Sequence, residues 1–301
     1  MNTRKIIYII NPISGSGKRS SLQQFIEQET KKKNISYKIF PSVESGNYSF
    51  LRSIIKEEKI TDVVIAGGDG TVSAVVGSLL NENVNFGIIP CGSGNGLARG
   101  ADISTQRAKA FQNIFAGKPQ LIDGFKVNEK FACMLCGVGF DAQVAHDFAH
   151  QPKRGLKTYV KEVLKNFISA KTYSFQVELG NKRLKTDSFF ISIANSNQFG
   201  NSFTIAPKAS LSDGLLDIVI VTRQNKLSFV LQTLRQVVGW NHLETNEKID
   251  ENRSVIYFQT DKLFIKNFDE APIHIDGEPC NLVKEIHIEV IPKCFRLIQP
   301  A

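Results

Sequence analysis

Short apolar runs alternate with longer amphipathic stretches over the first 120 residues. The runs 5–10 (KIIYII), 36–40 (SYKIF), 62–66 (DVVIA) and 85–90 (NFGIIP) read as strands, with helices over 18–33, 47–58, 71–80 and 104–116. That rhythm predicts an α/β fold, a doubly wound, mostly parallel sheet with helices on both faces. Beyond about residue 121 the period falls to two, in FACMLCGVGF, YSFQVELG, KTDSFFISIAN, GLLDIVIV, VIYFQ, DKLFIKN, PIHID and EIHIEVIP. Many such strands predict a β-rich sandwich or barrel. Two helical stretches interrupt them. One covers 226–240; in the other Leu156, Tyr159, Val160, Val163, Leu164, Phe167 and Ile168 form an apolar stripe with Lys157, Lys161 and Lys165 off it. Core packing accounts for the stripe ahead of a membrane-surface role. The chain therefore divides into an α/β domain, 1–124, and a β-rich domain, 125–301, with room for the last strand to pack back on the first domain.

With 301 residues, 42% hydrophobic and 22% charged, each domain can bury its own core. The net charge of +8 favours anionic partners, whether nucleotide, anionic lipid or nucleic acid. Nucleic acid fits least, because single-strand sites need aromatics among basic residues and most of the 21 Phe lie in apolar patterns. Five cysteines (91, 133, 136, 280 and 294) leave at least one unpaired and follow no secreted-scaffold spacing, which points to a reducing, cytoplasmic setting. No apolar run reaches the roughly 18 residues of a spanning helix. The IIYII run is too short for a signal-peptide core, so any membrane association is expected to be peripheral.

The chemistry concentrates in turns at predicted strand ends. In Val63-Val64-Ile65-Ala66-Gly67-Gly68-Asp69-Gly70-Thr71 a buried strand runs into a glycine-rich turn and then a helix. Glycines let backbone N–H groups approach an anion, and the helix N-terminus adds positive polarity, so the turn suits a phosphate. Asp69 suits Mg²⁺ or its water shell. Two more such turns, Asn11-Pro12-Ile13-Ser14-Gly15 and Pro90-Cys91-Gly92-Ser93-Gly94-Asn95-Gly96, end other strands of the sheet, where ligands of such folds bind.

Other motifs lack their context. Gly15-Ser16-Gly17-Lys18 is not a Walker A loop, since Pro12 replaces its first glycine and Arg19 its hydroxyl residue. Gly137-x-Gly139-x-x-Ala142, with Glu162 downstream, lies in the β-rich half without a parallel strand to follow. Cys133 and Cys136 have no second pair nearby and read as buried structural thiols. His146 and His150 share a helix face but lack the glutamate and third ligand of a zinc site. In Ser212-Asp213-Gly214-Leu215-Leu216-Asp217 the Asp-Gly pair marks a turn, and Asp217 reads as an exposed residue opening a strand. Asp276-Gly277-Glu278-Pro279 reads as a hairpin turn whose carboxylates could accept a hydroxyl proton.

In the order NPISG (11–15), GGDGT (67–71), PCGSGNGLAR (90–99), GVGFDA (137–142), SDGLLD (212–217) and IDGEP (275–279), the chain resembles the diacylglycerol kinase catalytic-domain family, which includes bacterial lipid kinases and sphingosine and ceramide kinases. These pieces span nearly the whole chain. GGDGT is shared with NAD kinases, whereas SDGLLD and DGE favour the lipid branch. The resemblance implies an NAD kinase-like first domain, a β-rich lid carrying part of the lipid site, and ATP between the two. It implies Mg²⁺-assisted transfer of the γ-phosphate to a hydroxyl of a lipid such as diacylglycerol; the net charge of +8 predicts peripheral contact with anionic membrane, and a homodimer is admitted.

By matching position, Asn11, Pro12, Ile13, Ser14, Gly15, Gly67, Gly68, Asp69, Gly70, Thr71 and Ser93 would contact nucleotide, with Asp69 also near Mg²⁺ and phosphate. Asp213, with main-chain carbonyls of Ser210 and Leu215, would hold a structural Mg²⁺. Glu278 would be the general base, and Asp276 would support it or compete for the role. Lys18 and Arg19 would neutralise phosphate charge or simply be solvated. The chain departs from the family at Ala74, where bacterial members usually have glutamate, and in GSGNGLA, which is closer to the sphingosine and ceramide kinase form. Asp141 is a candidate head-group contact. A soluble NAD kinase-like enzyme and a nucleotide-binding module without catalysis stand as alternatives.

Overall fold

A computed structural model describes residues 4–12, 19–140, 142–143, 170–180, 182–197, 206, 208–222 and 254–301. The predicted helices over 156–168 and 226–240, and His146 and His150, lie outside the described residues. The chain forms two compact units, Met1–Ile122 with Lys293–Ala301, and Asp123–Pro292. Among the described residues no helix is long and apolar enough to cross a membrane.

The first unit alternates strand and helix: β1 (Lys5–Ile10), α1 (Arg19–Lys32), β2 (Ser36–Pro41), α2 (Leu51–Glu58), β3 (Asp62–Gly67), α3 (Asp69–Ser78), β4 (Asn85–Pro90), α4 (Gly96–Gly100) and α5 (Arg107–Ala116). Its sheet has the order β2-β1-β3-β4, completed by the end of β15 (Glu285–Gln299), and every one of these pairings is parallel. The strands are apolar at nearly every position because both faces are covered. Ile6, Tyr8, Val64 and Ala66 pack with Leu22 and Ile26 of α1 and Ile114 of α5. The alternate set Ile7, Ile9, Val63 and Ile65 points to the other face and is equally buried. The buried Tyr8 phenol is satisfied: Thr30 donates to the Ile26 carbonyl at 2.6 Å and meets the Tyr8 hydroxyl at 2.9 Å. Burial pushes the Tyr8 hydroxyl up to about 12.

The second unit is built from antiparallel pairs. Its strands are β5 (Lys118–Val127), which crosses in from the first unit, β6 (Lys130–Ala132), β7 (Leu135–Gly139), β8 (Tyr173–Leu179), β9 (Lys182–Ala194), β10 (Leu216–Thr222), β11 (Val255–Thr260), β12 (Lys262–Asn267), β13 (Ile273–Ile275), β14 (Glu278–Cys280) and the start of β15. The order is β14-β13-β7-β9-β8-β12-β15, with β10 and β11 joined at β9 and β6 at β5. β9 is the seam. Its first half pairs with β8, and its second half lies between β7 and β10. Val138, Phe175, Ile193, Ile220, Ile265 and Ile288 contribute to one apolar core.

Several boundaries differ from the periodicity. α2 begins at Leu51, not 47, because Ser49 N–H binds Asn47 Oδ1 and Tyr48 N–H binds Ser78 Oγ, which holds 47–50 as a turn. The predicted strand 131–140 is two strands bent at Cys133 and Met134. Cys133 and Cys136 are both buried, as expected of structural thiols. β5 hides from the pattern because its first four residues are exposed. β15 continues past Pro292, an apparent stop, through Lys293 in a left-handed conformation at φ 50°.

At the amino ends of the parallel strands, the buried Asp62 carboxylate accepts Arg4 Nε at 2.7 Å and Nη2 at 3.0 Å, Thr61 Oγ1 at 2.6 Å and Asn85 Nδ2 at 3.2 Å. Removing the carboxylate takes a shared acceptor from Arg4, Thr61 and Asn85, of which Arg4 is partly exposed and can be rehydrated. Asp62→Ala is expected to cost about 1–3 kcal/mol, read as a lower urea midpoint with an unchanged slope.

Candidate active site

The first cluster is built at the carboxyl ends of β1, β3 and β4. Registers Ile10↔Ala66 and Gly67↔Pro90 bring these ends level, so the turns that follow meet. Asn11 donates its main-chain N–H to the Ala66 carbonyl at 2.9 Å and its Nδ2 to Thr71 Oγ1 at 2.9 Å. Cys91 N–H binds the Gly67 carbonyl at 2.9 Å. A Cβ on Gly92 would stand 2.7 Å from Gly68 Cα, so the second and third turns touch backbone to backbone. Asn95, left-handed at φ 53°, closes its own turn: Oδ1 accepts Gly92 N–H at 2.9 Å and Nδ2 reaches the Gly92 carbonyl at 2.8 Å.

Gly68 caps α3 in an extended conformation, and Asp69 opens the helix. The Asp69 carboxylate accepts Leu97 N–H at 3.3 Å, which ties the glycine turn to the third loop. Of the residues expected to contact nucleotide, Asn11, Gly67, Gly68, Asp69, Gly70, Thr71 and Ser93 fall in this cluster, and Pro12 follows Asn11 on the exposed surface. Ile13, Ser14, Gly15 and Lys18 lie outside the described residues, and Arg19 opens α1. The cluster offers main-chain amides and a helix N-terminus to an anion with little side-chain obstruction. Gly92 and Asn95, named in the sequence only as part of the third turn, are the members whose own roles emerge from the structure.

The second cluster lies in the β-rich unit. Ile275 and Glu278 pair across a two-residue turn, Asp276-Gly277, in which both φ angles are positive, at 49° and 84°. That is the hairpin turn whose twist matches its strands. Asp276 is buried and turned inward. Its carboxylate accepts the N–H groups of Cys133 (3.0 Å), Met134 (3.0 Å) and Leu135 (2.8 Å), the bend between β6 and β7. Glu278 opens β14 with an exposed side chain. The two carboxylates thus differ in kind: one is surrounded by amide donors, the other is open to water.

The Asp213 turn sits on a second buried carboxylate, Asp123. Gly214 N–H binds Asp123 Oδ2 at 2.7 Å, and Asp123 N–H binds the Leu211 carbonyl at 2.6 Å. Asp213 is exposed, and its Oδ1 accepts Leu215 N–H at 3.1 Å. Asn195 Nδ2 bridges the Asp123 carbonyl (2.9 Å) and the Cys133 carbonyl (3.0 Å), which links the Asp213 turn to the bend that holds Asp276. Asp123 was legible only as part of an Asp-Gly pair in LIDG, which signals no more than a turn.

Asp217, read as exposed, is fully buried and bonds the Tyr257 hydroxyl and Gln259 Nε2. Burial pushes its carboxyl above the usual carboxylate range, and burial beside Asp217 pushes the Tyr257 hydroxyl far above an ordinary phenol. Asp141 lies outside the described residues. Among the described residues no three His, Cys, Asp or Glu side chains converge as a metal cage.

Residues 5–127 match the diacylglycerol kinase catalytic domain, and residues 135–299 match the YegS C-terminal NAD kinase beta sandwich-like domain. A Citrobacter koseri protein named probable lipid kinase YegS-like is 28% identical over 249 residues, covering 80% of this chain and 79% of its own. A Bacillus subtilis diacylglycerol kinase is 25% identical over 244 residues, covering 77% and 78%. A crystal structure of a diacylglycerol kinase from Bacillus anthracis strain Sterne superposes with a TM-score of 0.75 at 18% identity, covering 99% of this chain and 98% of that one, which shows a common fold. With both halves matched in order, the chain belongs to the diacylglycerol kinase catalytic-domain family of lipid kinases.

Proposed function

We propose that this lipid kinase transfers the γ-phosphate of ATP to a hydroxyl of a lipid such as diacylglycerol. The observation that carries the reading is the contrast within the Asp276-Gly277-Glu278 turn, where one carboxylate is anchored by three amides and the next is exposed. An anchored carboxylate has few lone pairs left for a proton, whereas an exposed one on a fixed turn can accept it from an alcohol. Glu278 is therefore the general base, and Asp276 supports it. The touching glycine turns of the first cluster suit the triphosphate, whose charge the amides and the α3 N-terminus stabilise. Asp69 keeps the second and third loops in register beside that phosphate. The net charge of +8 supports peripheral contact with an anionic membrane.

The residues fit Mg²⁺. It takes hard oxygen ligands and keeps several waters, so exposed Asp213 with the carbonyls of Ser210 and Leu215 is a sufficient protein contribution. Asp69 could hold a second ion near the phosphates; there the metal would supply neutralisation of phosphate charge.

Incubation with γ-labelled ATP, Mg²⁺ and mixed micelles of diacylglycerol, monoacylglycerol, phosphatidylglycerol, sphingosine or ceramide, with NAD as soluble control, is expected to label a lipid. Glu278→Ala is expected to lower that rate about 10²–10⁴-fold with ATP affinity nearly unchanged. Label on NAD alone, or a Glu278→Ala protein at wild-type rate, contradicts the assignment. Gly92→Ala forces a methyl against Gly68 Cα, and is expected to cost about 1–3 kcal/mol in stability and to weaken ATP binding in calorimetry. For Asp213→Ala the expected change is a higher Mg²⁺ requirement or a lower melting temperature; unchanged values of both remove it from the metal role.

A further inference from the structure

The Asp276-Gly277 turn is gripped on one side by the amides around Asp276, and Gly277 needs a hold of its own. A Cβ built on Gly277 would meet nothing within 4 Å, so packing does not fix it. In a turn of this kind the N–H of the second residue has no place in the strand ladder. His274 provides its partner. It is the central residue of β13, opposite Gly137 on β7 and Pro279 on β14. Alternation sends Ile273 and Ile275 into the apolar core and the imidazole to the other face. The ring is 1% exposed, and its Nδ1 accepts Gly277 N–H at 3.3 Å.

We propose that His274 is a positioning residue for phosphoryl transfer. Through Nδ1 it fixes the Gly277 peptide and so sets the direction in which Glu278, the next residue, leaves the turn. The inference rests on the reading of Glu278 as general base. Without the contact the Gly277 N–H loses its imidazole acceptor and the tip of the turn is held less tightly, and a carboxylate displaced by about 1 Å loses up to about 10² in rate.

The test measures kcat, and KM for ATP, on whichever acceptor of the panel the wild-type protein labels. The variants are His274→Leu, His274→Gln and His274→Asn, alone and combined with Glu278→Ala. Asparagine places Oδ1 where Nδ1 stood. Glutamine keeps polarity but puts its carbonyl near the Nε2 position. Leu and Gln are expected to lower kcat about tenfold with KM for ATP unchanged, and Asn to stay within about threefold of wild type. None should slow Glu278→Ala further, because a positioning effect vanishes with the group positioned. A full-rate Leu variant, equal losses in Asn and Gln, or losses that multiply with Glu278→Ala overturn the proposal. Gln and Asn decide it even if Leu does not fold. Glu278→Ala at wild-type rate overturns the base assignment and this inference with it, as does a wild-type protein that labels no acceptor.

Discussion

A buried carboxylate needs hydrogen-bond donors around it, and that requirement organises the β-rich unit around both of its candidate loops. Asp276 takes three amides from the bend between β6 and β7, and Asp123 takes the Gly214 amide. Asn195 joins the two sites through the carbonyls of Asp123 and Cys133. Hydrogen bonds therefore run from the Gly214 amide, beside the exposed Asp213, through Asp123, Asn195 and Cys133 to Asp276, two residues before the exposed Glu278. Charge-assisted bonds of this kind are short and directional, so the loops inherit the rigidity of the sheet beneath them.

The α/β unit solves a related problem with the opposite material. Its turns must present amides instead of occupying them, and side-chain bulk is removed where backbones meet, as between Gly68 and Gly92. Asparagine does what glycine cannot. Asn95 accepts a left-handed conformation and uses both ends of its amide on Gly92. Asp69 stands in the first turn of α3, where the helix dipole favours a carboxylate, and commits one oxygen to the Leu97 amide.

Much of this was readable from residue order. The parallel strands β1, β3 and β4 are nearly continuous apolar runs, and their glycine turns follow at once, so both the fold class and the meeting of the turns came through. The β-rich half was legible as strands but not as their ends. A half-exposed β5 resembles a loop, and Pro292-Lys293 resembles a stop because proline and a positive φ usually are one. Asp217 and Asp123 resisted for a different reason. Whether an aspartate in an Asp-Gly or strand-start setting faces water depends on partners such as Tyr257 and Gly214, far away in sequence.

β15 closes the first unit's sheet with residues from the far end of the chain. Leu297 pairs with Phe86, the Ile298 carbonyl receives Asn113 Nδ2 at 3.2 Å, and a Cβ on Gly117 would lie 2.3 Å from the Gln299 carbonyl. A nascent chain can therefore form β1 to β4 early, but it carries an open edge on β4 until the end of β15 has been made. Synthesis order and folding order part company here: the sheet of the α/β unit is completed only after the whole β-rich unit has been translated.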